Sequence, residues 1–432
     1  MKTIFTKQFS LWLLLGVVIG LSGCTGSKNA NQLEFWTMQL KPNFTSYFSD
    51  LNSSFETQNE AVELRWVDIP WDAMENKILT AISANTAPDV VNLNPKFASQ
   101  LATRNAWLDL DGVVAPEVKA TYLPKIWQAS TIEVCQQNNC DEQTFGIPWY
   151  LTTTVTIYNQ KLLDAAGIEP PQTYQELAEV AKTIKEKTGK YAFFITFVPN
   201  DSGDVLESLV KMGVDLVDES GKAAFNTPEG IAAFQYWVDM YQQKLLPPEV
   251  LTQGHRYGIE LYQMGETALL SSGAEFIDSI TNNAPTIAEV SGIAPQISGE
   301  TDKKSVAVMN IVIPRNTDKS QQALDYALYV TNTENQLAFA KASSVLPSTV
   351  EAVEQYIEDI EQQSQTSLKE EAKKVSAAQL KDAEVLIPVR EDLQLLQKAI
   401  YENLQAAMLE EKTVEQAVQD AAEEWNQQQE LP

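Results

Sequence analysis

Val62-Glu63-Leu64-Arg65-Trp66-Val67, then Trp71 to Ala84, then Pro88-Asp89-Val90-Val91-Asn92-Leu93, form the stretch from which the fold is read. Apolar and polar side chains alternate in the first segment, as in a strand covered on one face. The second has the spacing of an amphipathic helix, and the third is a short, mostly apolar run that suits a buried strand. Working outward, Leu33-Glu34-Phe35-Trp36 reads as an earlier strand, Phe44 to Gln58 as the helix after it, and Phe97 to Asn105 as a further helix. Strands alternating with helices predict an α/β fold with an open, mostly parallel sheet.

Ligands in such sheets sit beyond the carboxyl ends of the strands. The residues just after each strand are therefore the ones to inspect. Carboxylates and amides there can bind hydroxyl groups, and aromatic rings apolar C–H faces. Asp68 and Trp71 supply both kinds of group within four residues.

At 432 residues the chain exceeds what one hydrophobic core usually organises, so two lobes are expected. Lys2 and Lys7, the apolar run from Leu11 to Leu21 and the tetrapeptide Leu21-Ser22-Gly23-Cys24 read as an export signal over residues 1–23. The tetrapeptide resembles a bacterial lipobox, which implies cleavage before Cys24 and a lipid on it. Residues 24–32, small and polar, suit a flexible tether between lipid and folded body. Cys135 and Cys140 flank a polar loop and are expected to pair as a disulfide in an oxidising compartment. With one histidine, His255, assigned to a surface loop, a zinc site has too few ligands. A net charge of −27 repels nucleic acid.

Thr173 with Glu176 forms a capping box, and Thr227-Pro228 opens a helix to Gln243 whose Ile231, Phe234, Trp237, Val238 and Tyr241 suit a core. The acidic, Gln-rich stretches from Glu351 to Asp382 and from Leu393 to Gln429 read as helices with solvated faces.

Five stretches, in order, resemble the extracellular solute-binding proteins of carbohydrate ABC importers, the group that includes the maltose-binding proteins. They are Leu33 to Trp36; Trp71 to Leu93; Phe145-Gly146-Ile147-Pro148-Trp149-Tyr150 running into Val155 to Asn159; Phe225 to Gly230; and Met264 to Leu269 with Ser272-Gly273, followed by Asn310 to Pro347. The resemblance implies a two-lobe periplasmic-binding-protein clamshell of type II-like architecture, closing on its ligand by a hinge. Lobe one would hold residues 33–149 and 294–332, and lobe two 150–293 and 333–432, with crossings near Tyr150, Gly292 to Pro295 and Thr333. The implied site comprises Trp36, Gln39, Asp68, Trp71, Asn92, Asn94, Trp149, Tyr150 and Asn310, with Asp201, Ser272, Gly273, Glu275 and Arg390 from the second lobe. Loop residues Asn200 and Ser202 and the crossing residue Thr152 accompany them.

Where maltose binders carry a stacking tryptophan past the glycine, this chain has Glu275 and Phe276, and Val389, Arg390 and Glu391 follow Pro388. A ligand smaller or more polar than maltodextrin is therefore expected. The implied partners are a carbohydrate, the membrane permease and the membrane itself through Cys24. A monomer with no cofactor and no catalysis, exported to the periplasm or the outer face of a single membrane, completes the expectation. Two other functions stay open: a carrier of polyamines or another cationic solute, for which Asp68, Asp201 and Glu275 could cluster, and a secreted glycoside hydrolase. No motif places catalytic carboxylates for the latter. A lipid-anchored scaffold without a ligand is the third alternative.

Overall fold

A computed structural model describes residues 31–136, 139–199, 201–299, 301–362, 367–387, 390 and 392–429, without the side chains of 133–141. The expected leader and Cys24 lie outside these residues, as do Asn200, Pro388, Val389, Glu391 and the side chains of Cys135 and Cys140.

β1 (Gln32–Met38) runs parallel to β2 (Glu63–Ile69) on one side and to β3 (Val90–Leu93) on the other. α1 (Thr45–Gln58) joins β1 to β2 and buries Phe48, Leu51 and Phe55, while α2 (Trp71–Ser83) joins β2 to β3 and buries Met74, Ile78 and Ala81. Each buried aliphatic or aromatic side chain contributes about 1.5–3 kcal/mol by leaving water. α3 (Pro95–Ala102) follows β3, and Asn94 caps it by accepting from the Phe97 N–H. β4 (Thr131–Gln136) and β5 (Asn139–Thr144) form a hairpin in which Cys135 stands opposite Cys140 along the backbone.

β6 (Ile147–Thr152) enters the first sheet, and only Thr153 separates it from β7 (Thr154–Asn159) in a second sheet. There β7 lies between β8 (Leu269–Gly273) and β9 (Ser291–Ala294), antiparallel to both. The chain returns through β10 (Lys304–Ser305) to β11 (Ala307–Val312), which inserts antiparallel between β3 and β6. β12 (Leu346–Pro347) closes the order β12-β6-β11-β3-β1-β2, and β13 (Ala383–Glu384) pairs with β10.

Each large sheet has its own core. Phe35, Phe48, Trp149, Tyr326 and Phe339 anchor the first, and Phe197, Phe234, Trp237, Tyr401 and Trp425 the second. The helix Thr333–Ala342 packs with the first core, where Phe339 stacks on Trp149 at 5.0 Å and 20°. The chain therefore does not leave this core near Thr333. The next passage follows β12, since the helix Leu368–Gln379 packs on β7 and β9.

The capping box of Thr173 and Glu176 is formed, and Thr227 accepts from the Gly230 N–H. The C-terminal helices Leu393–Met408 and Val414–Gln429 are not merely solvated. Leu396, Ile400 and Leu404 on one, and Ala417, Ala421 and Trp425 on the other, recur every four residues and are buried in the second core.

Candidate functional site

The rim of the first lobe is built where β1 and β2 end. Gln39 adopts a positive φ of 52°, a conformation uncommon for a side-chain-bearing residue, and Asp68 ties the loop that follows it. Its Oδ1 accepts from Thr37 Oγ1 at 2.6 Å and the Leu40 N–H at 2.9 Å, and its Oδ2 from the Lys41 N–H at 2.9 Å. Asp68, expected to bind ligand, is thus engaged in shaping the loop. Gln39 in turn accepts from the Trp71 N–H through Oε1 at 3.3 Å. Trp71, the first residue of α2, is left 41% exposed.

Trp71 borders a pocket of about 390 Å³ with Asn94 at the start of α3, Thr152 and Met309 of the first sheet, Glu207, and Ile387 and Arg390 of the long C-terminal segment. A shift in the β11–β6 register falls between Met309 and Asn310. Such irregularities re-aim side chains; here Met309 borders the pocket while Asn310 is buried, its Oδ1 accepting from Ser130 Oγ at 2.6 Å. Arg390 is held by Asp392 through a forked pair of 2.8 and 3.0 Å and lies over the Trp425 ring.

The second lobe presents an acidic wall. Asp201 Oδ1 accepts from the N–H groups of Ser202 and His255 at 2.9 and 2.8 Å, and a Cβ on Gly254 would collide with that carboxylate. His255 is half-buried at the start of the helix His255–Gln263, not in a surface loop, with Nδ1 3.7 Å from Asp204 Oδ2. Glu275 meets water yet has protein on most sides, and that partial desolvation raises its carboxyl pKa against the lowering effects of its own backbone N–H and of His255. Burial also pushes the Tyr150 phenol up, and the negative charges of Glu275 and Asp68 push it further. Tyr150 thus senses a carboxylate from each lobe.

Of the residues expected at the site, Trp71, Asn94 and Arg390 border one pocket and Gln39 is bonded to Trp71, while Asp201 and Glu275 stand on the second lobe and Tyr150, though buried, lies within reach of the Glu275 and Asp68 charges. Trp36, Asn92, Trp149 and Asn310 do not, because all four are buried in the first lobe. Trp36 donates to Glu34 Oε1 at 2.6 Å under the Lys77 ammonium, and Asn92 donates to the Asn310 carbonyl at 3.4 Å. Ser272 and Gly273 are buried too, and a Cβ at Gly273 would collide with the Glu275 carboxylate. Glu207, Met309 and Ile387 escaped the sequence reading. The only signal for Glu207 was its place three residues after Asp204 on the helix Asp204–Lys211.

Behind the pocket, burial raises the Glu207 pKa, which Lys211 opposes, and burial lowers that of Lys211. Lys211 Nζ donates to Gln296 Oε1 at 2.7 Å; the same oxygen accepts from the Ser305 N–H at 2.7 Å, while Gln296 Nε2 donates to the Ser305 carbonyl at 3.1 Å. Gln379 Oε1 accepts from the Gln296 N–H at 2.8 Å, and its Nε2 donates to the Thr154 carbonyl at 3.2 Å. These bonds link three segments that pass between the sheets. Among the described residues no cluster of three or more His, Cys, Asp or Glu could hold a metal ion.

Comparison with known proteins agrees with this architecture. The family model described as bacterial extracellular solute-binding protein matches residues 40–337, and the chain belongs to that family. An arabinooligosaccharide-binding protein of Halalkalibacterium halodurans is 26% identical over 71% of this chain and 68% of its own length. A Synechococcus sp. MITs9220 protein, described as a candidate oligosaccharide periplasmic-binding protein, has a crystal structure that superposes with a TM-score of 0.83. It is 41% identical, over 92% of this chain and 98% of that one. Maltose-bound MalE3 of T. maritima, 21% identical with a TM-score of 0.70 over 92% of this chain and 99% of its own, shares the two-lobe fold.

Proposed function

We propose that this protein captures a neutral oligosaccharide between its lobes and delivers it, by hinge closure, to the permease of an ABC importer. The supporting observation is Trp71: a tryptophan 41% exposed at the edge of a pocket that also offers an amide, a hydroxyl, a carboxylate and a guanidinium. Apolar ring faces with a few convergent polar groups suit a sugar. The relatives named for arabino-oligosaccharides and, in Streptomyces coelicolor, for diacetylchitobiose support this ligand class.

In this proposal the protein acts by binding, without bond chemistry, as a monomer. It is exported, held to the membrane through a lipid on Cys24, and carries a Cys135–Cys140 disulfide. The first lobe comprises the core built on residues 33–152 and 307–347, and the second the core built on 154–294 and the C-terminal helices. Asp201, Asp204 and Glu275 keep one other ligand class in the test, a cationic solute. A thermal-shift panel on the chain from Thr25 onward checks the proposal, because a ligand that binds only the folded form raises its melting temperature. Stabilisation by saccharides and not by spermidine is expected. Stabilisation by spermidine alone refutes it.

A further inference from the structure

The pocket at Trp71 does not end at Arg390. Arg390, Val385 and Ile387 also border a groove of about 1050 Å³, which Gln100 of α3 lines as well. Gln128 and Thr131 are shared in turn between this groove and an outer cavity of about 410 Å³ on Trp127 and Asp111. Three spaces therefore form one path from the interlobe pocket across the face of the first lobe.

The lining of the path selects a chemistry. Lys125 is paired with Glu384 at 3.3 Å, Arg390 with Asp392 at 2.8 Å, and Lys119 with Asp111 at 3.5 Å. Those charges are matched within the protein, which suits an uncharged ligand. The side-chain amides of Gln100, Gln128 and Gln394 border the groove, and among the described residues they make no hydrogen bond within the protein. An amide can donate and accept at once, as vicinal hydroxyls require. The groove alone reaches the upper end of the ~300–1000 Å³ in which small ligands are usually enclosed, and the inner pocket and outer cavity add to it.

We infer that this path is a distal track for a neutral oligosaccharide longer than a disaccharide: one end of the chain is held at Trp71, and the following units pass Arg390 to lie against Gln100, Gln394 and Gln128. The inference rests on the carbohydrate function proposed above and adds chain length and direction to it.

Isothermal titration of the full mature chain and of a Gln100→Ala, Gln128→Ala, Gln394→Ala triple variant, with malto-, cello-, xylo-, arabino- and chito-oligosaccharides of two to six units, tests it. In the series that binds, wild-type affinity should rise with length beyond two units. The triple variant should lose roughly tenfold to hundredfold on the longest member and nothing on the disaccharide. Affinity that is flat with length, or an equal loss on every length, overturns the track while leaving the carbohydrate function standing. Failure of every series to bind the wild type overturns both.

Discussion

Replacing Trp71 by Ala separates ligand capture from folding. The side chain is 41% exposed and is not among the residues packed in the first core. A tryptophan offers up to ~250 Å², so about 100 Å² remains to be covered by a ligand. At about 25 cal/mol per Å² this surface is worth ~2.5 kcal/mol of binding, or a Kd raised on the order of 50-fold. The unfolding free energy should change by no more than about 1 kcal/mol, as for other surface positions. Calorimetric titration with the saccharide found in the panel, paired with urea unfolding, reads both quantities. A Kd raised less than about threefold would refute the assignment of Trp71 to the cleft, and an equal fall in stability would make the ring a packing residue.

Gln296→Leu removes the acceptor of the buried Lys211 ammonium and both links to Ser305, and should destabilise the protein by about 3 kcal/mol; a urea midpoint close to wild type would contradict the bracing of the crossings. Because the folded state raises the Glu275 pKa, its stabilising contribution is complete below the ordinary carboxylate range and is lost as pH rises through the raised value. Between about pH 4 and pH 7 the melting temperature of Glu275→Gln should therefore gain on wild type, and a relative loss over that window would show the sign to be wrong. Alkylation and mass spectrometry of the exported protein should find no free thiol at Cys135 or Cys140, and replacing both by Ser should cost roughly 2 kcal/mol from the small closed loop. Free thiols would remove the disulfide from the proposal.

The parallel part of the first sheet was legible because β3, buried on both faces, shows in sequence as a short apolar run, and caps such as Thr173 and Thr227 mark helix starts by local chemistry; the mostly parallel sheet expected was not found, because β11 and β12 return antiparallel from far along the chain and the second sheet is antiparallel throughout. The site was legible only in part. Asp68 near the end of β2 and Asp201 in a loop read as ligand carboxylates, but whether backbone N–H groups already occupy them depends on loops distant in sequence. Trp36 lies within β1 and is covered by its sheet, whereas Trp71 begins a helix beyond the strand end and stays open. Composition misled at the C-terminus, where Glu and Gln recur throughout while Leu396, Ile400 and Leu404 still align on one face. Glu207 and Met309 were hidden because their positions depend on another helix and on a local register shift.

The place of β11 also governs when the molecule can be assembled. β6 has no partner in the sheet, and β3 lacks its second, until β11 ending at residue 312 has left the ribosome, although β1, β2, β3 and β6 all precede residue 153. Meanwhile the entire second sheet, contained within residues 154–294, has been synthesised. Bare strand edges invite pairing with other chains, and contacts distant in sequence form slowly. A carrier that holds the nascent chain open would protect those edges until the missing strand arrives, while the second sheet is free to pair first and waits for its C-terminal helices to close its core.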